Sequence, residues 1–205
     1  MAHLMRRLAS IAAAYMCTMA LAGCGTTTVT PTFHPPTGLP KPDRVLLFDF
    51  AVTPAEAGID SGIGSLTQTQ EDVRVGKAFA QALSINLVKE LRNRGIDAYR
   101  ANETAPPGET SASIKGKFLR DDRGTSTTST PVGFALSGSQ VRTLIQILQG
   151  TGLKLQLVGE AETATPSNLS AGSGANAVEA DAARTAQAVA ERIVGYYKKQ
   201  GWINP

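Results

Sequence analysis

A chain of 205 residues with 42% hydrophobic and 18% charged side chains carries enough apolar material for one ordinary globular domain with flanking segments. Its 20 Lys and Arg against 17 Asp and Glu give a formal charge of +3, and no run of basic residues gathers into a patch, which removes the case for nucleic acid. The two cysteines and two histidines all fall before residue 45, so thiol chemistry, a disulfide framework and histidine-based catalysis or metal binding are excluded from the stretch that carries folding periodicity.

Arg6 and Arg7 precede an apolar run from Leu8 to Leu21, the basic and hydrophobic regions of a secretory signal. A spanning helix needs about 20 predominantly apolar residues, and this run is shorter and stops at Gly23, Cys24 and a train of threonines. The closing Leu21-Ala22-Gly23-Cys24 resembles the lipobox of bacterial lipoproteins. That resemblance implies cleavage before Cys24, a diacylglyceryl thioether on its sulfur and acylation of the new amino terminus. The lipid bilayer is then the first expected partner, held through Cys24. Each buried CH2 contributes about 0.8 kcal/mol and one acyl chain is already marginally sufficient, so three make a permanent anchor. Gly25 stands where an aspartate would mark inner-membrane retention in enterobacterial lipoproteins, so the outer membrane, facing the periplasm, is the expected location.

Residues 1–23 are thus read as signal peptide, 24–44 as a lipidated tether and 45–205 as the folded domain. From Gly25 to Asp43 the chain is mostly threonine, proline and glycine with hardly an apolar pair, which cannot bury enough to offset its ordering entropy and favours extended conformations. His34, beside Pro35 and Pro36 and without co-ligands, reads as a linker residue rather than a metal ligand. The first folded element is Val45 to Val52, a nearly continuous apolar run expected as a central strand covered on both faces. Asp49 interrupts it and is expected to bond a loop backbone at the strand end. Thr53 to Gln70 is a long loop whose glycines lack the Gly-Lys-Ser/Thr of a phosphate loop.

Thr69-Gln70-Glu71-Asp72 has the form of a capping box, and Val75, Phe79, Leu83, Leu87 and Leu91 recur every four residues behind it. They predict a helix to about Arg94, with Gly95 as its left-handed cap. Ile96 to Arg100 follows as a short strand, parallel to the first through a right-handed crossover. Three further strands are predicted at Ser113 to Arg120, Gln140 to Gln149 and Leu153 to Thr163, the last two antiparallel through a turn at Gln149-Gly150-Thr151-Gly152. In the second of these, Val141, Thr143, Ile145 and Ile147 share a side; in the third, Leu153, Leu155 and Leu157 oppose Lys154 and Gln156. Asp121-Asp122-Arg123-Gly124 reads as a turn, since adjacent carboxylates in a strand face opposite ways. Asn176 with Glu179 is expected to open a final helix to Gln200, with Val178, Ala182, Ala186, Val189, Ile193 and Tyr197 buried and Tyr196, Tyr197 and Trp202 filling its margin.

The motifs VLLFDFAVTPAEAGIDSG, VGKAFAQALSINLVKELRNRGIDAYRA, IKGKFLRDDRG and PVGFALSGSQVRT, with the closing amphipathic helix, resemble a bacterial lipoprotein family catalogued as domain of unknown function 4410, over about Val45 to Ile203. The element order is also similar to the periplasmic domain of the curli-secretion lipoprotein. The first resemblance carries no established activity and no catalytic residues. The expected fold is α+β: a mixed sheet of about five strands in the order β-α-β-β-β-β-α, with two long helices packed on it. The expected function is that of a membrane-anchored envelope lipoprotein acting as a non-catalytic binding or structural module, with an oligomeric accessory subunit of a secretion or transport complex as the alternative. No cofactor, metal or catalytic residue is expected, and Cys24, the lipidation site, is the one site residue. An envelope protein partner would meet the exposed sheet edge or the loop Asp121 to Ser139, and a homo-oligomer is open.

Overall fold

The computed structural model of the chain describes residues 39–59, 68–104, 110–120, 132–136, 139–151 and 154–203. Cys24, His34, Asp121 and Asp122, with the stretch expected as signal and most of that expected as tether, lie outside the described residues. Local periodicity is realised in the elements it predicted. Helix α1 spans Gln70–Asn93, and its four-residue stripe Val75, Phe79, Leu83, Leu87 and Leu91 is buried throughout. Its capping box is complete: the Asp72 amide donates to the Thr69 hydroxyl at 3.0 Å, and the Asp72 carboxylate accepts from the Thr69 amide at 3.0 Å. Gly95, at φ +76°, then turns the chain out of the helix.

The strands are β1 at Arg44–Leu47, β2 at Ala98–Arg100, β3 at Thr110–Leu119, β4 at Gln140–Thr151 and β5 at Lys154–Pro166; the second helix, α2, is Ala175–Lys199. They form one mixed sheet in the order β2-β1-β3-β4-β5, with β1 parallel to β2 and β3 and the β3-β4-β5 ladder antiparallel. This is the expected α+β arrangement. The two helices lie side by side in the same direction: Asn86 of α1 donates to Glu179 near the start of α2, and Arg94 pairs with Glu191 two turns or more further along.

Both helices pack on a single face of the sheet. Val45, Leu47, Ile114, Phe118, Val141, Ile145 and Ile147 from the strands join Phe79, Leu83, Leu87, Val189 and Ile193 from the helices in one core. Ala182, Ala186 and Ala190 are wholly buried, so α2 approaches its neighbours closely along a stripe of small side chains.

Four expectations are corrected. The regular part of β1 stops at Leu47; the chain leaves the ladder and rejoins β3 at Ala51, whose amide donates to the Gly116 carbonyl at 2.8 Å. Leu47 pairs with Ile114 and Ala51 with Lys117, so β1 spends one residue more than β3 between these points, a bulge that tucks Phe50 inward over Gly116. A side chain at 116 would overlap the Phe50 ring, which is why glycine stands there. The β4–β5 ladder continues to Thr151 and Lys154, beyond the turn expected at 149–152, because Gln149 and Gly150 pair with Gln156 and Leu155. Helix α2 is capped by Gly174 rather than Asn176: a turn in which the Ser170 amide donates to the Ser173 hydroxyl, with Gly172 at φ +85°, delivers the chain into the helix one residue ahead of Asn176. Finally, the β5 leucines miss the core, for a reason set out below.

Candidate functional site

The segment Val132 to Leu136, the apolar centre of the loop expected to meet a partner, is part of the core. Phe134 is 2% exposed and packs with Phe79 and Phe118 at ring-centroid distances of 5.5 and 5.2 Å. Its backbone is held on three sides. The Phe134 amide donates to the Val52 carbonyl at 3.1 Å, the Leu136 amide to Asp72 Oδ1 at 3.0 Å, and Gln68 Nε2 bridges the carbonyls of Val52 and Phe134 at 3.0 Å each. Burial alone would raise the Asp72 carboxyl, but hydrogen bonds from Leu136 and Thr69 and the charge of Arg120 together hold it below the usual carboxylate range. This part of the predicted docking loop is therefore structural, and residues 121–131 lie outside the described residues.

Among the described residues, Asp49 bonds a side chain rather than the loop backbone expected of it. Its carboxylate receives the Arg100 guanidinium at 2.9 and 3.1 Å, which closes the β1–β2 end of the sheet. The aromatic cluster packs as expected, with Trp202 edge-on to Tyr197 at 5.0 Å and to Tyr196 at 5.6 Å. Burial pushes both tyrosine hydroxyls up, Tyr197 the further of the two. Trp202 also donates its indole N–H to the Leu39 carbonyl at 3.0 Å, and Gln149 donates to the Pro40 carbonyl, so the last described residues before the domain are pinned beside the β4–β5 hairpin.

Among the described residues, the second face of the sheet is left without a layer. Alternation along β3 and β4 sends Ile114, Phe118, Ile145 and Ile147 to the helices, so their neighbours point away. In register, those neighbours form rows across three strands: Lys115, Gln146 and Glu160, then Lys117, Leu144 and Glu162, then Ser113, Leu148 and Leu157. No described helix or strand packs on this face. Lys115 stands 5.2 Å over the Phe48 ring, Gln146 donates to Glu160 at 2.8 Å, and Arg142 Nε donates to Glu162 at 2.7 Å.

The leucines reach this face because of a register shift between Ile147 and Leu148. There Ile147 pairs with Gly159 and Leu148 with Leu157, which leaves Val158 as the extra residue; it turns inward and is fully buried. One inserted residue sends Leu155 and Leu157 to the side opposite the core, and Leu155 is 41% exposed. The sequence supplied the alternation of Lys115 and Lys117 against Ile114 and Phe118 but no sign of the bulge, so the face as a whole was not foreseen. Its chemistry is that of a contact surface, with leucines along the middle strand and opposite charges on the strands either side.

Two crystal forms of a PelC dodecamer from Paraburkholderia phytofirmans, one of them a point variant, are similar to this chain at 15% and 14% identity, each with a TM-score of 0.38, covering 80% of this chain and 96% of the other. No curated protein matches. The family described as domain of unknown function (DUF4410) matches residues 45–190, and the chain belongs to it.

Proposed function

We propose that this protein is a lipid-anchored component of the cell envelope whose domain works by binding a protein partner rather than by chemistry. The observation that carries the binding half is the sheet face just described, on which no described element packs and where leucines and both signs of charge stand side by side. The anchoring half rests on Leu21-Ala22-Gly23-Cys24 behind an apolar run, with the outer membrane as the location. A tether of about 15 residues between Cys24 and Leu39, at roughly 3 Å each when extended, gives the domain several tens of ångströms of reach from a bilayer.

Two readouts test this in intact cells. A radioactive fatty acid should label the protein but not its Cys24→Ala variant, and label retained by the variant defeats the anchor. A photo-cross-linking residue placed at Leu148 should trap protein adducts that the same residue at Ile85, 48% exposed on α1, does not. Adducts from Ile85 alone would move binding to the helical layer and defeat the reading of the face.

A further inference from the structure

We propose that the partner of this sheet face is a second copy of the chain, packed face to face about a two-fold axis running along β4; the proposal rests on the binding reading above and names its partner. The argument is one of register and sign. Lys115 and Lys117 on β3 lie level with Glu160 and Glu162 on β5, one strand to either side of β4. A rotation of 180° about β4 exchanges the positions of β3 and β5 while keeping the level of each residue. Lys115 and Lys117 of one copy then stand over Glu160 and Glu162 of the other, and the reciprocal contacts form at the same time. An axis crossing the strands would instead lay lysine over lysine and glutamate over glutamate, so the charge pattern selects one of the two geometries.

Along the axis each β4 residue meets its own counterpart. Leu144 and Leu148 are apolar, Gln146 carries both a donor and an acceptor, and the charge of Arg142 is already met by Glu162 of its own chain. The β5 bulge places Leu157 beside Leu148, which widens the apolar strip at one end. Strands running in the same sense in the two copies suit the aligned packing that twisted sheets adopt. Three strands of about ten residues, at about 3.3 Å per residue and 4.8 Å between strands, offer roughly 450 Å² per copy. The total of about 900 Å² falls below the roughly 1,200–2,000 Å² of stable specific interfaces, in the range of transient ones, so the dimer is weak and reversible, with a dissociation constant on the order of micromolar.

The test uses the full chain purified in detergent, with mass read by light scattering across a concentration series and folding checked by thermal melts. The wild-type chain should dimerise as concentration rises, and the dimer should weaken at high salt. The Lys115→Glu/Lys117→Glu variant makes both flanking strands acidic, and the Glu160→Lys/Glu162→Lys variant makes both basic. Each alone should dimerise at least about tenfold more weakly than wild type, while an equimolar mixture of the two should recover the dimer, because every contact between β3 and β5 is again of opposite sign. A wild-type chain that stays monomeric, variants that dimerise like wild type, or a mixture that does not recover overturns the proposal. If the wild-type chain stays monomeric but the cross-linker at Leu148 still traps another envelope protein, the second copy is ruled out and the binding reading stands; with neither dimer nor adduct, both fall.

Discussion

Asp72 does two jobs with its two carboxylate oxygens. One closes the amino terminus of α1 through Thr69, and the other takes the Leu136 amide and so fixes the returning segment against the helix. Replacing it with alanine keeps Thr69 as the cap but removes the carboxylate half of the capping box and orphans the buried Leu136 amide, each a loss of about 1–2 kcal/mol, which urea unfolding should register as a drop of about 2–4 kcal/mol. Its depressed pKa fixes the direction of the pH response. The stabilisation is complete above the ordinary aspartate value of 3.8 and is lost as pH falls through the lower, folded value. Acid unfolding of the Asp72→Asn variant should therefore show a shallower loss of stability below about pH 4 than wild type, measured as the midpoint of urea unfolding against pH. Thr69 and Asp72 were recognisable as a capping box because they are three residues apart. The bond to Leu136 spans 64 positions, and no local pattern announces it.

Among the elements, the segment Val132–Leu136 and strand β5 show how a pattern can be read correctly as apolar and still be placed wrongly. Five apolar or small residues in a hydroxyl-rich loop are equally compatible with a surface anchor and with a plug for the core, and the choice depends on whether a cavity waits for Phe134. It does, between Phe79 and Phe118. Phe134→Ala should accordingly cost about 3–5 kcal/mol in equilibrium unfolding, the price of an emptied core site; a change under about 1 kcal/mol would return the segment to the surface. In β5 the alternation Leu153, Leu155, Leu157 predicted a buried side, and the bulge at Val158 reversed it. Side chains in a strand change face with every single-residue shift, so one unpaired residue reassigns all the others on its near side.

Across the molecule, the fold has two ends of different character. Leu39 and Pro40 are tied to Trp202 and Gln149 at one end, where the β4–β5 ladder finishes, and the α1 cap with Val132–Leu136 lies at the other. Residues 39 and 40 thus enter the domain at a fixed point beside α2's carboxyl end. Trp202→Phe keeps the ring packing but removes the indole donor, and should lower stability by about 1 kcal/mol while hydrogen exchange near residues 39–41 accelerates, as mass spectrometry of peptides would show. Unchanged exchange there would mean that the tie to Leu39 does not hold residues 39–41.

Features that depend on neighbours in the chain were legible from the residues alone: both long helices with their buried stripes, the α1 capping box, the parallel β1–β2 pair and the antiparallel β4–β5 pair. Helical and strand periods repeat within four residues, so a short window contains them. The features left to folding all depend on distant parts of the chain meeting: the insertion of Phe134, the closure of Asp49 on Arg100, the pinning of Leu39 by Trp202, and the bulge that turns the β5 leucines outward. Which sheet face is covered is settled by where both helices pack, and that is a competition among long-range contacts that no window of sequence contains.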